Sequence, residues 1–449
     1  MTPSLSKHAA KPAPRYTSYP TAPHFTDAVG DAAYRGFLRN LDPAEPISLY
    51  LHVPFCRELC WYCGCNMKLA KRDAPIAAYV QDLLAELRLL TEALPGRFAL
   101  SHLAWGGGTP TALTPDDMER AMDAVRDGFD IAPGAELSIE SDPRTLTDEM
   151  TRRLGKLGFT RASFGVQEFH PDVQAAINRI QPPGMVRKAV NGLRSNGVEA
   201  INFDLIYGLP KQSVESLLRT IDLCDDMRPD RLALFGYAHV PWMAKKQRMI
   251  DEADLPSGPE RVAQAAAAAE RLIGYGYEAI GLDHFALAHD PLTAAAREGR
   301  LRRNFQGYTT DTARTLLGLG STAIGRTPSG HVQNLAETGA WAREIADGRL
   351  PIARGHAFEG EDLLRADVIE ALMCRGEADL AELGRRHGAP ERWAEDAVAS
   401  LKRLAEEGFV ALEPDHVALT EPGRPLMRLV AAAFDAYRET GAARHSVAV

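Results

Sequence analysis

The 449-residue chain predicts an α/β fold: a partial (β/α) barrel with an N-terminal arm and a mainly helical, winged-helix-like C-terminal domain. Three observations predict it. From Ile47 onward, short β-rich apolar runs alternate with longer amphipathic stretches, the pattern of βα units around a parallel sheet. A cysteine-dense loop and a glycine triplet follow the first two runs, where a barrel places its active site. After about Leu350 the texture turns to amphipathic helices. The expected division is an arm over 1–45, a barrel over 46–350 and a C-terminal domain over 351–449.

The candidate strands are Ile47 to Val53, Phe98 to Trp105, Glu136 to Asp142, Phe159 to Val166, Val198 to Ile206 and Arg231 to Tyr237. Between the first two, Asp73 is placed to cap a helix with Pro75 in its first turn. Ile76, Tyr79, Val80, Leu83, Leu84 and Leu87 then form one apolar stripe facing the sheet. Near the C-terminus, Phe409 to Leu412 and His416 to Leu419 read as a strand pair turning through Glu413, Pro414 and Asp415.

Charge excludes some functions. The net charge is −9, and residues 361–449 alone carry 11 Lys and Arg against 17 Asp and Glu. Nucleic-acid binding is therefore not expected, since phosphate contacts need a basic surface. No run approaches the length of a membrane span; the Ala-rich stretch from Ala265 to Ile273 is broken by Glu270 and Arg271. Residues 1–26 hold Lys7, Lys11 and Arg15 without an acid, as a transit peptide would, but five prolines oppose an amphipathic helix there. The expectation is a cytoplasmic protein, with a monomer as the default.

Four of six cysteines fall within ten residues: Cys56, Cys60, Cys63 and Cys65 in FCRELCWYCGCN. Such short spacing is poorly placed for mutual disulfides. Zinc is the competing reading, although structural zinc sites more often use two separated ligand pairs. Three thiolates at C-x3-C-x2-C can instead hold three irons of a [4Fe-4S] cluster and leave the fourth iron open. Cys65 is then left over, as a fourth ligand, a catalytic thiol or a packed neighbour; Cys224 and Cys374 read as buried structural thiols.

The glycines of Trp105-Gly106-Gly107-Gly108-Thr109-Pro110 remove side-chain bulk where backbone must approach a ligand. Glu140 in IESDPR, Gln167 in FGVQEF and Asp204 in FDLIYGLP put polar groups near later strand ends. Gly318 to Ala323 matches G-x-G-x-x-A, but no βαβ unit surrounds it, so a glycine-rich edge beside a nucleoside replaces the Rossmann reading. Arg297, Arg300, Arg302 and Arg303 precede Asn304 to Tyr308, as a solvated helix end or as receptors for carboxylates.

The cysteine loop and glycine triplet resemble those of radical S-adenosylmethionine (SAM) enzymes. The whole chain resembles the oxygen-independent coproporphyrinogen III oxidase family within them, through PRYTSYPTAPHF (14–25), LHVPFCRELCWYCGCN (51–66), WGGGTPT (105–111), DLIYGLPKQ (204–212) and RNFQGYTT (303–310). The CGCN ending and the RYTSYPTA arm set it apart from related haem chaperones. The resemblance implies that Cys56, Cys60 and Cys63 bind the cluster and that two SAM molecules are held. Their binding positions match Tyr50, Tyr62, Gly107, Gly108, Thr109, Glu140, Gln167, Arg179, Asp204, Ala238 and Ile324. It implies radical decarboxylation of the ring A and B propionates of coproporphyrinogen III to vinyl groups, giving protoporphyrinogen IX. An electron donor such as flavodoxin or ferredoxin, and an electron acceptor left unspecified, would be its partners. Arg302 or Arg303 is expected to meet substrate carboxylates, and the arm around Arg15 to Tyr19 to help close the site.

Overall fold

The structure, a computed structural model, describes residues 5, 7, 8 and 11–438, so the outermost parts of the expected arm and C-terminal domain lie outside the described residues. It divides into two compact units: Asp27–Tyr277 with Ala313–Gly355, and Met1–Thr26 with Glu278–Thr312 and His356–Val449. These lines do not coincide with the segments drawn from the sequence, because 278–312 and the front of the arm group with the C-terminal residues.

In the larger unit, β1 (Ile47–Val53), β2 (Ala99–Gly107), β3 (Asp130–Ser141), β4 (Arg161–Gln167), β5 (Ala200–Tyr207) and β6 (Arg231–Gly236) pair in parallel, in that order. All six predicted strands are present, with ends shifted by a few residues except at β1. On the other side of β1 lies β7 (Leu316–Leu319), also parallel, followed by antiparallel β8 (Ile324–Thr327) and β9 (Gly330–Asn334). The Gly318-to-Ala323 motif is thus a hairpin turn, in agreement with the rejection of a Rossmann site.

Helices connect the strands: α1 (Ala74–Ala93), α2 (Pro115–Gly128), α3 (Asp148–Leu157), α4 (Pro183–Arg194) and α5 (Val214–Asp225). Their starts are chemically marked. Thr114 and Thr147 accept backbone N–H bonds from Asp117 and Met150, each at 3.1 Å, and Ser213 forms a reciprocal box with Ser216. Asp73 corrects one expectation: it stands before α1 but makes no side-chain cap, and its carboxylate pairs with Arg57 of the cysteine loop instead. The predicted apolar stripe of α1 is buried apart from Leu84, which is half-buried.

One buried member of α1 was not expected. Glu86 accepts the Gly320 N–H at 2.7 Å, Asn334 Nδ2 at 2.6 Å and Trp341 Nε1 at 3.2 Å, fixing the β7–β8 turn. Burial outweighs these donors and pushes its carboxyl up to about 8. Because the folded-state pKa is raised, the proton's stabilising contribution is complete below about 4.5 and is lost as pH rises through about 8. Chemical denaturation at a series of pH values should show that loss, and Glu86→Gln should flatten it; an unchanged profile in the variant would count against this assignment.

In the second unit, Asp362–Arg375, Leu380–His387 and Glu395–Glu406 are helical. Glu377–Asp379, His416–Leu419 and Val410–Glu413 make a three-stranded antiparallel sheet, which completes the winged-helix plan. The front of the arm belongs to this core. Tyr16 and Tyr19 are buried among Leu364, Val368 and Phe434; the Tyr16 hydroxyl donates to Asp435 at 2.9 Å and that of Tyr19 accepts from the Ala436 N–H at 3.0 Å.

Candidate active site

The site is built at the carboxyl ends of β1 to β6, all within the larger unit. Successive residues of a strand face opposite sides of the sheet. One face is apolar and buried: Leu49, Leu51, Trp105, Ile139, Phe164, Phe203 and Leu205. The other is polar. Near its floor Arg161 donates to Glu136 at 3.0 Å and to Asn202 at 2.8 Å. Higher up, Glu140 lies in register with Ser163, whose hydroxyl reaches Asp204 at 3.5 Å. Parallel strands usually read as apolar on both faces, so this polar layer marks the cavity side of the sheet.

Gly107 takes φ +118°, a conformation suited to glycine, and its N–H donates to Glu140 at 3.0 Å. Tyr50 joins this corner: its hydroxyl lies 3.0 Å from His52 Nδ1, and both it and Glu140 crowd the space a side chain at Gly106 would need. Glu140 is open to solvent although the chain surrounds it, which is the condition of a residue lining a concavity. Burial chiefly, with Asp204 and Cys63, raises its carboxyl to about 7. His52 is driven down to about 4 by burial and is therefore neutral.

The cysteine loop is pinned from several directions. Trp61 N–H donates to Ile177 O at 2.9 Å, and Asn178 Nδ2 to Leu59 O at 2.7 Å. Gln247, fully buried, donates to both Tyr62 O at 2.7 Å and Ala238 O at 3.1 Å, tying two predicted SAM positions together. Each of the three candidate ligands has a hydrogen-bonding neighbour. Arg144 and Arg179 both reach Cys60 Sγ at 3.3 Å, Thr109 Oγ1 is 3.6 Å from Cys56 Sγ, and the Cys65 N–H donates to Cys63 Sγ at 3.4 Å. Asp142 clamps the two arginines, at 2.6 Å to Arg144 and 3.4 Å to Arg179. Cys63 is lowered to about 5, first by its bond with Cys65 and then against burial by Lys246. Burial lifts Cys56 to about 11.

These features fit an iron–sulfur cluster better than a single zinc ion. Three thiols on one short loop, each with its own hydrogen-bonding neighbour, suit three separate corners of a cube. Donors on sulfur are the expected surroundings of cluster ligands.

Most predicted site residues gather here: Tyr50, Gly107, Gly108, Thr109, Glu140 and Asp204 line the strand ends, and Tyr62 and Ala238 meet through Gln247. Gln167 ends β4 with φ +64°, uncommon outside glycine, at a register shift beside Gly165. Arg179, expected at a SAM site, donates to Gly165 O at 2.6 Å and to the Cys60 sulfur. Ile324 opens β8, beyond the turn held by Glu86. Sequence reading missed Asp142, Arg144, Gln247 and the Glu136–Arg161 layer; the alternation within the strands was the available signal for the last.

A parallel sheet with a cysteine loop and a glycine turn at its carboxyl ends defines a radical SAM protein, and the profile of the Radical SAM superfamily matches residues 50–224. The chain is 48% identical to an oxygen-independent coproporphyrinogen III oxidase of Bradyrhizobium diazoefficiens, over 97% of each chain. It is 46% identical to the anaerobic coproporphyrinogen III oxidase 1 of Cereibacter sphaeroides, over 97% of this chain and 96% of the relative. The solved structure of Escherichia coli coproporphyrinogen III oxidase, described as a radical SAM enzyme, superimposes with a TM-score of 0.91 at 37% identity, covering 94% of this chain and 97% of the other. The chain belongs to the oxygen-independent coproporphyrinogen III oxidase family.

Proposed function

We propose that this protein oxidatively decarboxylates the ring A and B propionates of coproporphyrinogen III to vinyl groups, yielding protoporphyrinogen IX in anaerobic haem biosynthesis. The observation that carries the reading is the near full-length relationship to oxidases of that name; the site chemistry agrees with it. When bound, the reduced [4Fe-4S] cluster and SAM supply the radical that removes hydrogen from the propionate β-carbon.

The remaining work falls to the chain. Cys56, Cys60 and Cys63 would hold three irons. The guanidinium groups of Arg144 and Arg179 on Cys60 Sγ stabilise added negative charge, which favours the reduced state. The Gly106–Gly108 backbone would let SAM approach, and Glu140, whose carboxyl is raised to about 7, would be placed to pair with its amino group. Gln167, Arg179, Asp204, Ala238 and Ile324, with Tyr50, Tyr62 and Thr109, complete the positions for two SAM molecules. A small one-electron carrier such as flavodoxin or ferredoxin would reduce the cluster. No described helix is long and apolar enough to cross a membrane. The enzyme would act as a single copy in the cytoplasm, where such carriers are available.

Anaerobic incubation of cluster-reconstituted protein with dithionite, SAM, coproporphyrinogen III and a cell extract as electron acceptor tests this. The expected products are protoporphyrin and a matching amount of 5′-deoxyadenosine. Deoxyadenosine with an unaltered porphyrin would overturn the substrate.

A further inference from the structure

Within the second unit, Arg302–Asn304 pairs antiparallel with Gly307–Thr309. The two adjacent arginines of this hairpin differ in their circumstances. Arg302 is committed: its Nε donates to Glu370 at 2.8 Å. Arg303 lies over the Tyr308 ring, 4.4 Å from the centroid, and among the described residues its guanidinium makes one hydrogen bond, a long one of 3.4 Å to the Arg15 carbonyl. Its Nε and NH1 are buried and have no hydrogen-bond partner. A guanidinium removed from water without acceptors is costly, and the cost calls for an anion.

Other cations surround it. Arg428 is buried and donates to the Pro14 carbonyl at 2.9 Å and to that of Ala13. Burial first, then the positive charges of Arg15 and Arg303, bring it down to about 10. Among the described residues one carboxylate faces them, Asp283, and it also pairs with His284 Nδ1 at 2.7 Å. Burial is the largest influence on Asp283, yet His284, Arg303 and Arg15 together hold it below the usual carboxylate range. The nearby Asp435 is engaged by Tyr16, and Glu370 by Arg302. Positive charge is left in excess beside the exposed Arg15.

We propose that Arg303 and Arg15 form a carboxylate-binding site, which takes one propionate of the tetrapyrrole substrate. This rests on the function proposed above. A carboxylate matches the guanidinium fork in two parallel bonds, whereas the carbonyl of Arg15 offers one long one. An incoming anion reaches Arg303 from the side of Arg15, displacing that carbonyl and bringing the Arg15 side chain over it. Arg428 holds the arm at Ala13 and Pro14 while this happens.

The probe is coproporphyrin III, the stable oxidised tetracarboxylate, titrated by fluorescence against full-length, reconstituted protein, with KM for coproporphyrinogen III measured alongside. Arg303→Met should weaken binding and raise KM by about tenfold or more, with iron content and SAM affinity unchanged, and Arg303→Lys should recover part of the loss. Arg15→Gln, at an exposed position, should weaken binding in the same direction and decides the matter if the Arg303 variant does not fold. Arg300→Gln, at a position that pairs with exposed Glu298, should have no effect. Unchanged affinity in the Arg303 and Arg15 variants, or an equal loss in Arg300→Gln, would overturn the site. If the unaltered protein converts no coproporphyrinogen, the proposed function falls and this site with it; if it converts and the variants bind normally, only the site falls.

Discussion

Alanine at any one of Cys56, Cys60 or Cys63 is expected to abolish the iron–sulfur absorbance and SAM cleavage together, lowering turnover by roughly a thousandfold or more. In the proposed assignment each thiol holds its own iron, and the groups that reach these sulfurs, the Arg144 and Arg179 guanidiniums and the Thr109 hydroxyl, would not replace it. Cys65 provides the internal contrast. It is open to solvent, and although alanine removes the thiol's own bond to Cys63 it preserves the backbone N–H bond to that sulfur, so Cys65→Ala should keep most of the iron. Iron and sulfide analysis of the four variants checks both statements. Equal iron loss in Cys65→Ala would make it a ligand and contradict the assignment.

Gly108→Ala is expected to weaken SAM binding by roughly a hundredfold while iron content stays within about twofold, because small displacements in a site are this costly. A Cβ at Gly108 would lie 2.7 Å from the Phe55 carbonyl oxygen and 2.9 Å from its backbone carbon and nitrogen. Backbone cannot swing aside as a long side chain can. The Gly108 N–H also bonds Val53 O at 2.9 Å, so the clash pushes the glycine turn away from the start of the cysteine loop. Gly184→Ala, where the new methyl meets nothing within 4 Å, is the control. Equilibrium binding of SAM to reconstituted protein reads the effect; wild-type affinity in Gly108→Ala would show that the turn yields.

Local signals were legible in the sequence. The cysteine loop and the glycine triplet are contiguous, and the apolar runs of β1 to β6 are short and bounded, so each could be placed without knowing its neighbours. The polar layer could not. Glu136, Arg161 and Asn202 come from three strands, and their meeting depends on register, which a single run does not reveal. Arg144 and Arg179 look like surface arginines until Asp142 and the Cys60 sulfur are seen between them. The Asp73 cap failed for a related reason: a distant guanidinium, Arg57, competes for the carboxylate more strongly than an exposed helix start does. In the arginine cluster before Asn304, sequence alone could not separate Arg302 from Arg303; a single acid, Glu370, makes the difference.

The most direct test of the central claim uses coproporphyrinogen III carrying deuterium at the β-carbons of its ring A and B propionates, turned over anaerobically by the reconstituted protein. The account predicts deuterium in 5′-deoxyadenosine, in step with the appearance of two vinyl groups and loss of carbon dioxide. Unlabelled deoxyadenosine, or an unchanged porphyrin alongside tight haem binding, would contradict it.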